Sequence, residues 1–251
     1  MKNNMTFFSK HFLLLIYLFF LGLDCYFLDK ANYNSRLYSK PILMIFLVLW
    51  FHRNTALKMR LPAQSFYILF CTYSMLILFF VSDCCAISWN GFVLYTYLLL
   101  YMVSYFLYLL LLIEVVKRAN EEKKLIFYVK RILPGFILSA TIALLVLWKA
   151  VGLGVEFYHW CLYFHSFIIC LMTSVTFNMW GYEQLKNYRA LFAVSVLFII
   201  LTNVTFCFDQ LYYNRRHHIL DVFVALGNGA GIVFMLLGVI SVFKYWRKVE
   251  Y

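Results

Sequence analysis

Asp24, Asp29, Asp83, Asp209 and Asp221 stand at the ends of long apolar runs, as do Glu156 and the histidines His159, His165, His217 and His218. Carboxyls and imidazoles are the side chains most often used to give, take and relay protons. At the edge of a hydrocarbon layer they are costly, so each is a functional candidate by default. Asp83 is the plainest case. It follows Phe66 to Ser82, seventeen residues without a charge, and precedes a second uncharged run of twenty-two, Phe92 to Ile113. Ser82-Asp83-Cys84-Cys85 and the turn Trp89-Asn90-Gly91 lie between them. Asp83 is therefore either a functional group at the bend of a hairpin, or caps that hairpin and pairs with a cation such as Lys40.

The elements that must position these groups follow from composition. The 251 residues are 65% hydrophobic and 13% charged, with a mean hydropathy of +0.80. Soluble domains carry about 25% charged residues, which excludes that class. The 21% of aromatic residues suits side chains seated at both membrane interfaces. A net charge of +11 invites a nucleic-acid reading, but retention of Lys and Arg on the cytoplasmic side explains it better, and no nucleic-acid partner is expected. The seven cysteines show no C-x-x-C spacing, so they read as buried thiols and no metal site or cofactor is expected. The chain carries no nucleotide-binding loop, serine-hydrolase elbow or HExxH motif.

Runs of about 20 apolar residues match a hydrocarbon core of about 30 Å. The fold expected is all-α: one polytopic integral membrane domain over 1–251, an eight-transmembrane-helix bundle. Its spans fall at about 11–28, 41–52, 66–82, 92–113, 132–150, 158–180, 190–208 and 220–243. The first has the look of a signal peptide, with Lys2 and Lys10 before an apolar run, but no A-x-A-like cleavage site follows. Pro41 opens the second span at a helix's first turn. Gly227, Gly229 and Gly231 permit close helix approach, but their spacing by two does not make one small-residue stripe.

Of the 22 Lys and Arg, only Lys30, Arg36, Lys40, Lys149, Arg215 and Arg216 fall on the side away from the termini. The bias makes both termini cytoplasmic. Every Asp then lies at the outer end of a span, although acids contribute little to orientation. That sorting suggests an outward-facing polar pocket in the upper half of the bundle; the plainer alternative is that short outer loops simply carry the chain's polar residues.

Several short motifs then combine. Tyr38-Ser39-Lys40-Pro41-Ile42-Leu43-Met44 is similar to a Lys-Pro-Leu stretch in the second span of the YhhN-type lysoplasmalogenases. Phe80-Val81-Ser82-Asp83 resembles the Gly-Asp that ends that family's third span. Ser104-Tyr105-Phe106-Leu107-Tyr108 resembles its Ala-His-x-x-Tyr, and Ile168 to Met172 its Met-containing sixth span. Phe198-Ile199-Ile200-Leu201-Thr202-Asn203 sits where the family has a Phe-rich run ending in Ser-Asp. The departures are Asn203 for the second acid, Tyr105 for the histidine, His165 for a usual Tyr, and Gly231 for a frequent Gln.

The resemblance implies an inner-membrane enzyme of bacterial type that hydrolyses the vinyl ether bond of lysolipids drawn from the bilayer. Such a bond opens when a carboxylic acid protonates its β-carbon and water adds to the oxocarbenium ion; low-dielectric surroundings favour the neutral carboxyl this needs. Asp83 is then the acid, Asp24 the candidate second acid, Asn203 a group that orients water, and His165 a further catalytic candidate. Lys40 would hold the phosphate, unless it only snorkels to the interface; Tyr105 and Tyr108 would contact the substrate, unless they are packing residues. Two other classes stay open. One is a non-catalytic descendant that binds lipid or a membrane partner; the other is a small transporter, for which inverted halves and broken spans would be expected.

Overall fold

The computed structural model describes residues 7–30, 33–55, 65–85, 91–119, 125–151, 157–207 and 218–249. Eight α-helices lie within these residues: α1 (Phe7–Asp29), α2 (Tyr33–Thr55), α3 (Ser65–Cys85), α4 (Gly91–Ala119), α5 (Leu125–Val151), α6 (Phe157–Asn178), α7 (Arg189–Cys207) and α8 (His218–Val249). No strand occurs among the described residues. A helix satisfies its backbone groups internally, which is what a chain surrounded by hydrocarbon requires. Six of the helices, α1, α3, α4, α6, α7 and α8, contain stretches long and apolar enough to cross a membrane. α2 is not among them, because Arg36, Lys40 and Arg53 interrupt it, and among the described residues α5 contributes the shorter apolar stretch Ile132–Leu145.

One boundary differs from the sequence reading in a way that matters. Pro41 lies inside α2 rather than at its start, because the helix already runs from Tyr33. Membrane helices tolerate an interior proline where neighbouring groups take up the freed carbonyl. The extra turns place Arg36, Ser39 and Lys40 at i, i+3 and i+4, a spacing that puts them on one side of the helix.

Each helix packs on its sequence neighbour in the pairs α1–α2, α3–α4, α5–α6 and α7–α8. Contacts α2–α3, α4–α6, α6–α7 and α8–α1 close seven helices into a ring. α5 lies outside it, mainly against α6, with Leu133, Ile137, Leu138, Ile142, Leu145 and Trp148 exposed. The ring interior is filled by side chains such as Trp50, Phe51, Met75, Leu111, Phe192 and Phe243, all essentially without exposure.

Hydrocarbon offers no hydrophobic force between helices, so their association depends on close fit. α8 supplies it through glycine on two faces. Gly227, Gly231 and Gly238 face α7: a Cβ at Gly227 would collide with the Thr202 hydroxyl, and one at Gly238 would come within 2.8 Å of the Phe192 ring. Gly229 faces α1 instead, where a Cβ would lie 2.9 Å from both Leu21 and the Tyr17 hydroxyl oxygen. The spacing by two is therefore two contact faces, and Gly227 with Gly231 does form a small-residue stripe toward α7. At the end of the ring nearer the termini, Arg118 of α4 bonds Glu114 at 3.0 Å and lies 4.4 Å over the Trp246 ring of α8. Hydroxyls within the helices mostly bond their own i−4 carbonyls, as Thr72, Ser104, Ser174 and Thr176 do.

Candidate functional site

The polar side of α2 holds two carboxylates. Arg36 bonds Asp24 of α1 through both branches of its fork, Nε to Oδ1 at 3.1 Å and Nη2 to Oδ2 at 3.2 Å. Ser39 donates to the same Oδ1 at 2.8 Å. Asp24 is 1% exposed and Arg36 12%. One residue on, Lys40 points to α3, its Nζ 3.0 Å from Asp83 Oδ1. The Tyr101 hydroxyl of α4 donates to that same oxygen at 3.1 Å, so Oδ2 of Asp83 takes part in neither bond. The predicted pairing of Asp83 with Lys40 is present, and the residue of α1 that was expected to supply a second acid is clasped by Arg36.

Tyr101 connects this pair to a second polar group. Its ring packs against those of Phe79, 5.1 Å away, and Tyr105, 5.9 Å away, which also meet each other at 5.7 Å. Tyr105 in turn meets the His165 ring of α6 edge to face at 5.0 Å, and its hydroxyl donates to Asn228 Oδ1 of α8 at 3.3 Å. His165 Nε2 lies 2.8 Å from Asn203 Oδ1 of α7, while Asn203 Nδ2 donates to the Ile199 carbonyl at 2.7 Å. Tyr101, Tyr105, His165, Thr202, Asn203 and Asn228 share a recess of about 20 Å³, room for about one water molecule. His165 is buried in the bundle rather than turned to lipid.

The predicted residues therefore divide. Tyr105, His165 and Asn203 line one recess. Asp83 and Lys40 adjoin it through Tyr101, and Asp24 belongs to the neighbouring clasp. Tyr108 is elsewhere: its hydroxyl donates to Ser195 Oγ at 3.0 Å, and Ser195 donates to the Gly231 carbonyl at 2.7 Å, pinning α4, α7 and α8 together. Asp29 makes only an exposed pair with Lys30, 3.3 Å long. Glu156, Asp209 and His217 fall outside the described residues, as do the side chains of His159 and His218.

Arg36, Tyr101, Thr202 and Asn228 were not singled out from the sequence. Arg36 becomes visible once α2 is allowed to start before Pro41. Tyr101 is one helical turn before Tyr105, and Asn228 is the one amide within the apolar stretch Val222 to Phe243. Thr202 carries no sequence signal that separates it from other membrane threonines.

On the far side of the α7–α8 seam, α1, α7 and α8 enclose an apolar groove of about 510 Å³, with Leu18, Leu21, Phe198, Leu226 and Phe234 in its walls. Thr202 borders both this groove and the polar recess. Among the described residues no cluster of His, Cys, Asp or Glu is arranged to hold a metal ion. Cys25, Cys71, Cys161 and Cys170 are buried and form no disulfide. Comparison with family models, with curated proteins and with solved structures finds no match.

Proposed function

We propose that the protein is a membrane hydrolase of the lysoplasmalogenase type, cleaving the vinyl ether bond of single-chain lipids taken from the bilayer. In this reading α2 and α5 also cross the membrane. The eight passes leave both termini in the cytoplasm, as the Lys and Arg bias favours, and the site opens toward the outer leaflet of a bacterial plasma membrane. The observation that carries the proposal is the junction at Tyr101: a carboxylate on a lysine stands one phenol away from a neutral recess able to hold one water.

The ion pair has a use in this chemistry. A substrate phosphate competes for Lys40 and draws its ammonium off Asp83. Asp83, carrying a proton, then delivers it to the β-carbon of the vinyl ether, and the α-carbon becomes an oxocarbenium ion. Water from the recess adds to that carbon and gives up a proton. The hemiacetal collapses to a fatty aldehyde and the glycerophospho-alcohol, so the balance is one water consumed. The 510 Å³ groove is of the size of ligand pockets in general, about 300–1,000 Å³, and suits an aliphatic chain.

A second reading, a non-catalytic lipid-binding descendant, is favoured by a different observation: both carboxylates are already engaged by cations, and Asn203 stands where the resembled family carries its second acid. The discriminating experiment is aldehyde release from a lysoplasmalogen by the purified protein, beside Asp83→Asn. Release that disappears in the variant supports the hydrolase. No release from folded protein, across several head groups, selects the binding protein.

A further inference from the structure

The hydrogen bonds of Asn203 decide which nitrogen of His165 carries a proton. Asn203 Nδ2 must face the Ile199 carbonyl, 2.7 Å away, since turning the amide over would set two acceptor oxygens against each other. Asn203 Oδ1 is then the atom that meets His165 Nε2 at 2.8 Å. An amide oxygen only accepts, so Nε2 bears the hydrogen, and in neutral imidazole the other nitrogen is a bare acceptor. That other nitrogen, Nδ1, is buried with no hydrogen-bond partner among the described residues. The Thr202 hydroxyl is in the same position: instead of bonding back to its own helix as Thr72 of α3 and Thr173 and Thr176 of α6 do, it lies over Gly227, where a Cβ would collide with it.

Buried polar atoms normally find partners, and two orphans bordering one recess call for a common one. Both residues line the 20 Å³ recess, which is large enough for one water with two to four polar partners. Its other polar walls are the neutral groups of Tyr101, Tyr105 and Asn228, so it suits a neutral hydroxyl rather than an ion.

We propose that this recess is a water site in which His165 Nδ1 accepts from the water as general base, and that Asn203 is a positioning residue which holds the imidazole in the tautomer this requires. Resting on the hydrolase reading, the step is balanced: the water oxygen bonds the oxocarbenium carbon as one of its protons passes to Nδ1. Nε2 keeps its hydrogen and its bond to Asn203. As the hemiacetal collapses, the imidazolium gives its proton to the ether oxygen and the hemiacetal's hydroxyl proton passes to Asp83, which restores the carboxyl that protonated the β-carbon and leaves His165 neutral. Asn203 does not orient the water itself, since its oxygen is committed to the ring.

The test reads the tautomer directly and needs no turnover. In protein labelled with 15N-histidine and held in lipid nanodiscs, the His165 signals are assigned by their loss in His165→Gln. The expected result is a neutral ring with hydrogen on Nε2, converted to a tautomer mixture in Asn203→Leu. Hydrogen on Nδ1 in the wild-type protein overturns the proposal, as does an unchanged tautomer in Asn203→Leu. Where aldehyde release is measurable, His165→Gln lowers kcat by about 10²-fold or more with KM little changed; an unchanged kcat removes the general base and leaves the water site. A wild-type protein with the expected tautomer but no turnover leaves the water site standing and refutes the hydrolase.

Discussion

Asp24 and Asp83 are held from the same turn of α2, and by cations of different kinds. Asp24 receives a guanidinium fork and a hydroxyl and is almost wholly buried. Asp83 receives an ammonium and a phenol on a single oxygen and is 19% exposed. A fork matched to a carboxylate fixes direction as well as charge, whereas an ammonium on a flexible stem is a point charge that can turn to another anion. The first pair is built as a fastening between α1 and α2. The second leaves its ammonium able to turn to another anion, which the proposed mechanism uses. Two acids that look alike in the sequence thus differ in what their partners allow them to do.

The comparison breaks hardest at the fastening. Arg36→Met strands the Asp24 charge in the bundle and should destabilise the protein by about 3–5 kcal/mol, while adding Asp24→Leu to that variant should recover most of the loss. Thermal unfolding of the purified protein in detergent measures both, and a single variant as stable as wild type would show that the clasp fastens nothing. At the exchangeable pair the effect should fall on rate instead. Asp83→Asn should lower aldehyde release by about 10²-fold or more, with a smaller shift in unfolding temperature than Arg36→Met produces.

Tyr101→Phe tests the junction between the pair and the recess. It removes a hydrogen bond to a charged group, a bond of about 1.5–3 kcal/mol, and should slow release while the protein still folds, as judged by unfolding temperature and turnover together. The sharpest form is the smallest in energy. Lys40→Arg gives Asp83 the kind of partner that Asp24 has. It should raise stability by about 1 kcal/mol or less and lower activity, because a fork releases its carboxylate less readily to a phosphate. A Lys40→Arg protein as active as wild type would remove the distinction between the two pairs.

The helical elements were largely legible, since uncharged runs of membrane-spanning length leave a chain few alternatives. The start of α2 was not. Pro41 reads as a helix opening by local rules, and only packing against α1 and α3 makes the preceding turns helical and brings Arg36 onto the same side as Lys40. Charge alone suggested the Lys40–Asp83 pair. It could not separate Asp24 from Asp83, because the partner that distinguishes them lies in those unexpected turns. His165 and Asn203 are 38 residues apart, and no periodicity within either helix announces that they meet. The glycines of α8 were legible in part: their spacing by two showed that the three do not form one stripe, but not that Gly227 and Gly231 face α7 while Gly229 faces α1.

The contact between α8 and α1, where Gly229 lies under Tyr17 and Leu21, gives the molecule an order in time. The helices bearing Asp24, Lys40 and Asp83 leave the ribosome first, and those bearing Asn203 and Asn228 last. At synthesis rates of about 5–20 residues per second, the two halves of the recess are separated by roughly 5–25 seconds. During that interval the acids and their cations can pair within α1–α3 alone. The recess is complete only once α8 packs on α4 and α7, so a ribosome stalled before α8 would display both clasps and no water site.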